Sequence, residues 1–456
     1  MRDMENHRTD IQLAELVSAL SYALDLTEGQ PAGHSVRACW IGLHIARELG
    51  FDEQALTELY YMILLKDVGC SSNAARICQL YVTDDLSMKA AAKFLDHTPP
   101  TFLWYLISHA GMKKGLRDRF RIIIETALKT GEIAHELTDT RCHRGADIAR
   151  TMRFSEAVAR GITDLDEHWD GKGQPAQKAG QDISLFARIA LLAQVTDVFF
   201  MSEGAEKALA EVSRRSGTWF DQRLIETLQL VAKDPDFWRA LSDPMLQQRV
   251  VAYETVKATQ PVNEDYLDAI ASAFAQVIDA KTPYTSGHSD RVALFSELIA
   301  GELGLDDEHR RFLRRAALLH DIGKLGVSNS VLDKPGKLDD EEWAEVRRHP
   351  SLGEVILRRV SAFSDLADVA AQHHERLDGT GYPRQLKAEQ IGLDSRIVAV
   401  ADVFDALTAD RPYRKAMSAD KAMSIIDEMV PAGLDADCVA AMKRGLASLD
   451  SEQQAA

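Results

Sequence analysis

The chain has 456 residues, more than one ordinary hydrophobic core accommodates, and its length predicts two domains. Its composition is that of a folded protein, with 46% hydrophobic and 27% charged residues. The formal charge of −17 argues against a surface that binds nucleic-acid polymers, although a small anionic substrate stays open. The polar N-terminus is unlike a secretory signal, and no apolar run reaches the roughly 20 residues of a membrane span. We expect a cytoplasmic protein without membrane contact, whose five cysteines are reduced thiols.

Apolar residues recur at helical spacing along almost the whole chain, whereas strand-like alternation with hairpin signals is scarce. One clear helix ends near Gly301 and Gly304, before the polar turn at Asp306. Its apolar positions are three or four residues apart, as one buried helix face requires: Val292, Phe295, Leu298, Ile299 and Leu303. The predicted fold class is all-α.

Two segments of the chain closely resemble each other. Residues 33–69 read GHSVRACWIGLHIARELGFDEQALTELYYMILLKDVG, and residues 287–323 read GHSDRVALFSELIAGELGLDDEHRRFLRRAALLHDIG. In each segment, 33 positions separate the first histidine from the last aspartate. Further on, DGKGQP (170–175) is matched by DGTGYP (378–383), and AQVTDVFF (193–200) by AVADVFDA (399–406). These matches in one order predict a duplicated domain.

The two copies are placed at residues 1–258 and 259–456, with the seam near 259–263, where Pro261 interrupts helical sequence. The first copy carries about 46 additional residues between Asp67 and Gly145. This insert, around 75–135, contains aromatic residues and a basic stretch at 113–121.

Histidine and aspartate are concentrated in the second copy. A single helical histidine is usually a surface or core residue, but here five of the six histidines after residue 262 belong to one set. Imidazole and carboxylate suit divalent iron, manganese or zinc, and two ions about 3.5–4 Å apart could share a hydroxide that attacks phosphorus in line. The candidate ligands are His288, His320, Asp321, His349, His373, His374 and Asp402.

Three basic side chains near this set suit a phosphate-containing substrate. Lys324, three positions beyond Asp321, could neutralise a phosphate oxygen or protonate a leaving alkoxide. Arg411 and Arg414 follow Asp402 within the sequence RPYR, and guanidinium groups bind phosphate and stack on purines.

The second copy resembles the HD-GYP family of cyclic dinucleotide phosphodiesterases, a branch of the HD-domain phosphohydrolases. The resemblance covers roughly residues 279–415. It rests on HDIGK (320–324), HPSLGEVIL (349–357), HHERLDGTGYP (373–383) and ADVFDALTADRPYR (401–414). It implies two tandem HD-type domains, of which the second hydrolyses cyclic di-GMP to linear pGpG and sometimes GMP, using iron or manganese.

The resemblance also implies a role for each matching residue. His288, His320, Asp321 and Asp402 correspond to the ligands of one metal ion, and Asp321 would bridge to a second ion on His349, His373 and His374. Lys324 corresponds to the catalytic lysine of the family. Tyr382, Arg411 and Arg414 match positions that contact the nucleotide. A family variant with three metals has a glutamate where this chain has Tyr284, so two ions are implied.

The first copy departs from this pattern. Lys66 stands where His320 stands, Cys70 replaces Lys324, and Arg141 aligns with His349, although His34, Asp67 and Asp197 are interpreted as retained. Leu165, Asp166 and Gln174 occupy the positions of His373, His374 and Tyr382; His143 and His168 leave open a single weak ion. We expect an inactive duplicate that regulates, forms a homodimer or binds a signalling partner.

Two alternatives to cyclic di-GMP hydrolysis stay open at the level of sequence. One is an HD enzyme that acts on another nucleotide, such as mixed cyclic GMP–AMP. The other is a nucleotide sensor without turnover.

Overall fold

The computed structural model describes residues 13–95, 99–111, 115–253, 262–410 and 414–455. Those residues contain no strand, only two isolated bridges that join Ser216 to Phe220 and Asp378 to Lys387. The prediction of an all-α protein is therefore confirmed. The chain forms two compact units, Met1–Tyr266 and Leu267–Ala456. Most of the predicted seam at 259–263 lies outside the described residues, and the boundary between the units falls within the helix Glu264–Asp279.

The first unit contains fourteen α-helices within its described residues. They are α1 Leu13–Thr27, α2 His34–Glu48, α3 Glu53–Leu65, α4 Ala74–Tyr81, α5 Asp85–Ala92, α6 Pro99–His109, α7 Leu116–Leu128, α8 Thr130–Thr151, α9 Glu156–Thr163, α10 Leu185–Glu203, α11 Ala205–Arg214, α12 Gln222–Val231, α13 Pro235–Ala240 and α14 Leu246–Val251. Short 3₁₀ turns lie at Cys70–Asn73 and Gly180–Asp182.

The second unit begins within α15, Glu264–Asp279. The helices that follow are α16 His288–Glu302, α17 Asp307–Leu319, α18 Asn329–Leu332, α19 Asp340–Val346, α20 His349–Leu357, α21 Ala367–Gln372, α22 Leu393–Thr408, α23 Ala419–Met429 and α24 Ala436–Ala455. Three 3₁₀ turns connect them, at Ile322–Gly326, Ser361–Leu366 and Ala388–Gln390.

Helix α16 is the centre of the second unit and packs against α17, α22 and α24. Its predicted end is confirmed: the helix stops at Glu302, and Gly304 has a φ of 75°. Asp306 then caps α17 by accepting a hydrogen bond from the backbone N–H of His309. At the other end, Gly287 has a φ of 65°, a conformation that costs glycine little, and this turn places His288 at the first position of α16. The same packing brings the start of α16 close to the end of α17.

Helix α10 of the first unit is long and apolar enough to cross a membrane by length and composition. However, 67% of its apolar window is buried within the protein, where it packs against α2 and α11. A buried helix of this kind is expected at the core of a soluble domain, and it is weak evidence for a membrane span.

Helices α4 to α7 cover most of the inserted segment and have an apolar cluster of their own. Its buried members are Ile77, Tyr81, Met88, Tyr105, Leu106 and Ala110. Outside this cluster, α6 and α7 carry a row of large exposed apolar side chains, which we call the α6–α7 face: Leu103, Trp104, Ile107, Leu116, Phe120, Ile124 and Leu128.

Candidate metal centre

The second unit brings seven predicted ligands to one place, from four helix ends and the interior of a fifth helix. His288 begins α16, His320 and Asp321 follow α17, and His349 begins α20. His373 and His374 follow α21, and Asp402 lies within α22. Lys324 lies on the 3₁₀ turn directly after Asp321.

Gly323 permits this assembly because α20 approaches the turn after α17 very closely. A Cβ atom on Gly323 would lie 1.9 Å from the carbonyl oxygen of His349, a distance that no real side chain tolerates. Only glycine therefore fits between the two ligand-bearing segments.

Four of the histidines are held by their Nδ1 atoms. A carbonyl or carboxylate oxygen can only accept, so each Nδ1 carries a proton, and in the neutral ring Nε2 then keeps its lone pair. The acceptors are Asp405 for His288 at 2.6 Å, Ala317 for His320 at 2.6 Å, Val346 for His349 at 2.7 Å and Ala370 for His373 at 2.8 Å. This is the tautomer that a metal-binding imidazole requires.

The Nε2 atoms converge on the two oxygens of Asp321. Oδ2 lies 3.5 Å from Nε2 of His288 and 3.4 Å from that of His320. Oδ1 lies 3.3 Å from Nε2 of His349 and 3.7 Å from that of His373. Donor atoms on one ion are separated by about this much when each metal–ligand bond is about 2.1 Å. The two oxygens of one carboxylate thus belong to two ligand sets.

Unmet hydrogen-bonding capacity marks the same centre. Nε2 of His288, Nε2 of His320 and Oδ1 of Asp321 are buried and have no hydrogen-bond partner among the described residues. Orphaned buried polar atoms are costly unless an ion or water satisfies them. The residues present therefore fit a divalent cation, with ligand sets at His288–His320–Asp321 and at Asp321–His349–His373–His374.

The electrostatics of the centre favour an ionised bridging carboxylate. Burial opposes ionisation of Asp321, but Lys324 and His320 outweigh it and hold the pKa of this carboxyl well below its usual range. Burial also disfavours a charged His288, yet the carboxylates around it, Asp321 and Asp405 foremost, raise its pKa to about 9. Asp402 completes this side, with Oδ1 3.5 Å from Nε2 of His288.

The three predicted substrate-binding residues have different positions. The ring of Tyr382 lies 4.8 Å from that of His374, next to the ligand cluster. Arg414 donates instead to the backbone carbonyls of Ala406 at 2.6 Å and Leu407 at 2.8 Å, at the end of α22. Arg411 lies outside the described residues.

Sequence reasoning missed the residues behind the ligands. Asp405 accepts hydrogen bonds from both His288 and Arg291. Asp279 accepts from the hydroxyl of Ser289 at 2.7 Å, which fixes the first turn of α16. A signal was present, because Asp405 is three positions after Asp402 and so lies on a neighbouring face of the same helix.

The first unit repeats this arrangement and corrects one sequence match. His34 and Arg37 both bind Asp197, at 2.7 and 2.6 Å, as His288 and Arg291 bind Asp405. The matching of Asp197 with the ligand Asp402 was therefore wrong.

Asp197 corresponds to Asp405 when α10 is aligned with α22 so that Arg188–Ile189 matches Arg396–Ile397. Its consequence is that Gln194 stands at the position of Asp402. The first unit thus lacks a counterpart of this ligand as well.

Ammonium groups occupy the rest of the first unit's cluster. Glu28, Asp67 and Cys70 lie close enough to hold an ion, but Lys66 pairs with Asp67, and Lys93 lies 3.2 Å from Glu28 and 3.7 Å from Asp67. Burial raises the pKa of Glu28, but Lys93 and Lys89 overcome this and lower it to about 2. These residues do not fit a metal ion.

The two other histidines of the first unit have different surroundings. His143 is exposed beside Asp139, and His168 stacks on Trp219 with ring centroids 4.1 Å apart.

Comparison with known proteins agrees with this geometry. Residues 122–224 and 272–437 match a family model described as HD domain. A Vibrio cholerae protein named 3'3'-cGAMP-specific phosphodiesterase 3 is 49% identical over 440 residues, 96% of each chain. The chain belongs to the HD-domain family.

Two further likenesses place it in the HD-GYP branch of cyclic dinucleotide phosphodiesterases. The crystal structure of V. cholerae V-cGAP3, titled a cyclic GMP-AMP specific phosphodiesterase, matches with a TM-score of 0.66 and 44% identity, over 96% of this chain and 98% of that one. The Xanthomonas campestris cyclic di-GMP phosphodiesterase response regulator RpfG is 40% identical over 214 residues, 46% of this chain and 54% of that protein. HD-domain phosphodiesterases are metal-dependent, as the donor set of the second unit requires.

Proposed function

We propose that the second unit opens one phosphodiester of a cyclic dinucleotide, with 3'3'-cGAMP preferred over cyclic di-GMP. The observation that carries the proposal is Asp321, whose two oxygens face two sets of imidazole nitrogens while its neighbour Lys324 pairs with it. The preference for the mixed dinucleotide is supported by the relative that matches 96% of the chain, which is named for that substrate. Cyclic di-GMP is the second candidate, because two relatives named for it match 46% and 38% of this chain.

The ligand set is proposed to hold two divalent ions, iron or manganese, which would supply positive charge and an activated water at the scissile phosphate. Nitrogen-rich sets with carboxylates suit both metals. The protein's own contribution is to fix the four imidazole tautomers and to keep Asp321 ionised.

Lys324 is the proposed proton donor and charge neutraliser. Its Nζ is paired with Oδ2 of Asp321 and its side chain is 21% exposed, so it lies at the edge of the buried cluster, where a substrate oxygen can reach it. An ammonium there can stabilise the pentacoordinate phosphorus and protonate the leaving ribose oxygen. Tyr382, Arg411 and Arg414 are proposed to contact the nucleotide.

Product analysis tests the function directly. The manganese- or iron-loaded chain is incubated with 3'3'-cGAMP and, separately, with cyclic di-GMP, and the linear dinucleotides are separated from mononucleotides by chromatography. Asp321→Ala is the inactive control. Faster release of a linear product from 3'3'-cGAMP, lost in the control, is expected. Metal-loaded protein that cleaves neither dinucleotide would refute the proposal.

The first unit is proposed to be a non-catalytic partner that joins two copies of the chain through the α6–α7 face. The seven side chains of this face together expose on the order of 900 Å² of mostly apolar surface, and exposed apolar surface of several hundred Å² is typical of an interaction site. A stable interface buries roughly 800 Å² on each partner, and two-fold pairing of identical faces is the commonest arrangement.

The charges beside this row are compatible with self-pairing. Arg121 and Glu125 lie four positions apart on one edge of the apolar row of α7. In an antiparallel two-fold pair, Arg121 of one copy approaches Glu125 of the other.

Sedimentation equilibrium of the full chain at micromolar concentration tests this pairing. A dimer is expected, and Trp104→Glu combined with Phe120→Glu should give a monomer with unchanged metal content. A wild-type monomer, or a dimer that survives both changes, would refute self-association through this face. If the wild type is a monomer, the α6–α7 face would instead be available to bind a different protein.

A further inference from the structure

A cavity of about 370 Å³ opens beside the metal ligands of the second unit. One wall is the end of α19 and the start of α20, and the other is the loop that carries Tyr382. Arg347 and Arg348 line the first wall and immediately precede the ligand His349. Tyr382 lines the second wall and contacts the ring of His374. The cavity and the ligand cluster are therefore adjacent parts of one site.

Arg347 is placed by aromatic rings and not by an acidic partner. Its guanidinium carbon lies 5.6 Å from the ring centroid of Trp343 and 5.6 Å from that of Tyr382. Stacking of this kind uses the faces of the guanidinium and leaves its N–H edges available for hydrogen bonds.

Neither Arg347 nor Arg348 forms an ion pair with a carboxylate among the residues that the structure describes. The contrast is Arg384, close by on the loop, which pairs with Glu354. Both guanidinium groups are exposed at the cavity, so water solvates them in the free protein and their N–H groups are available to an anion.

We propose that Arg347 and Arg348 bind the phosphodiester of the cyclic dinucleotide that is not cut. The inference rests on the proposed function of this site. A cyclic dinucleotide carries two phosphodiesters on opposite sides of one ring, so when one lies at Asp321 the other must be bound elsewhere. The cavity is joined to the ligand cluster through Tyr382, which contacts His374, and its two arginines supply the matching positive charge. Arg414, whose guanidinium already donates to backbone carbonyls, has less capacity for this role.

Steady-state kinetics with two substrates test the subsite. 3'3'-cGAMP carries both phosphodiesters, whereas bis(4-nitrophenyl) phosphate carries only the one that reaches the metals. Arg347→Met and Arg348→Met are each expected to raise KM for 3'3'-cGAMP about 10- to 100-fold with a small change in kcat, because a charge-assisted contact is lost from binding. The effect on the small diester should be far smaller.

Lys337→Met is the matched control, because Lys337 is an exposed cation of the same unit that does not line the cavity. It should leave both reactions unchanged. An unchanged KM for 3'3'-cGAMP in the arginine variants would overturn the subsite, and so would an equal loss on both substrates, which would show a structural role.

The proposed function can fail separately from the subsite. A wild-type chain that cleaves bis(4-nitrophenyl) phosphate but no cyclic dinucleotide would refute the proposed substrate class and this subsite with it. A wild-type chain that cleaves 3'3'-cGAMP, together with unaffected arginine variants, would refute the subsite alone.

Discussion

Replacing Asp405 with asparagine changes a residue that touches no proposed substrate but holds a ligand. Asp405 is 1% exposed and accepts from Nδ1 of His288 at 2.6 Å and from Arg291, so both of its oxygens face donors. Asparagine offers one oxygen and one NH₂ group. If the NH₂ group faces His288, the imidazole must move its proton to Nε2, where a metal would bind. If the NH₂ group faces Arg291 instead, two hydrogen-bond donors face each other in a buried position.

The expected loss in metal affinity follows from these contacts. Carboxylates that orient a metal-binding histidine contribute about 10–100-fold in metal affinity, or about 1.4–2.8 kcal/mol. Because Asp405 is buried, water cannot restore the lost acceptor, and we expect a value near 100-fold. Calorimetric titration of the metal-free chain with Mn²⁺ measures the affinity. Turnover at saturating Mn²⁺ should recover most of the wild-type kcat, since the ligands themselves are intact.

Asp197→Asn is the matched control. Asp197 makes the same two contacts with His34 and Arg37, in a unit whose cluster does not fit a metal. This variant should lose stability but bind Mn²⁺ as tightly as the wild type. Unchanged Mn²⁺ affinity in Asp405→Asn, or the same loss of affinity in both variants, would refute the reasoning.

Three further predictions have distinct outcomes. Asp321→Ala should deplete metal and reduce turnover at least 10³-fold, whereas Asp67→Asn should alter neither, as metal analysis and product assays will show. Gly323→Ala should lower the melting temperature and the metal affinity, because its Cβ would lie 1.9 Å from a carbonyl oxygen. Burial lowers the pKa of His44 below its usual 6.5, so the unfolded chain binds a proton more tightly. Stability should therefore be complete above pH 6.5 and fall below it; denaturant titrations at pH 7.5 and 5.5 should show a smaller fall in His44→Gln.

Much of the second unit's cluster could be predicted from the sequence because helix ends determine it. His320 and Asp321 end α17, His349 begins α20, and the glycine between them leaves a single way for these segments to meet. The duplication added an internal reference, since each ligand position could be compared with its counterpart. These signals lie within short segments or at fixed spacings, so a single sequence is enough to reveal them.

The counterpart of Asp197 in the second copy could not be predicted from the sequence, because α10 can be aligned with α22 in two plausible ways. The letters DVF match in one register, and Arg188–Ile189 matches Arg396–Ile397 in the other. The registers differ by three residues, which turns the helix by roughly 300° and changes which side chains reach His34. Only the hydrogen bonds of His34 and Arg37 distinguish them.

The surroundings of the arginines were likewise beyond the sequence. RPYR suggested two side chains at the mouth of the site, but the free carbonyls at the end of α22 compete for Arg414. Arg347 and Arg348 drew no attention, because a pair of arginines that follows a short polar helix usually lies in solvent. Their relation to Tyr382 depends on a loop more than thirty residues away.

The two copies neutralise the same buried carboxylate in different ways, and the difference explains why the residues of only one cluster fit a metal ion. In the first unit, Lys66 and Lys93 bring ammonium groups to Asp67. A tethered ammonium stabilises the fold permanently, but it offers no open coordination position. In the second unit, Lys324 pairs with Asp321, and the imidazole nitrogens around this carboxylate stay available for ions. Both copies keep the same supporting hydrogen bonds, whichever way the carboxylate is neutralised. Asp25 accepts from the hydroxyl of Ser35, and Asp279 accepts from the hydroxyl of Ser289, each at 2.7 Å. Loss of the ligands could therefore precede any loss of the fold, and the first copy was free to acquire a different role.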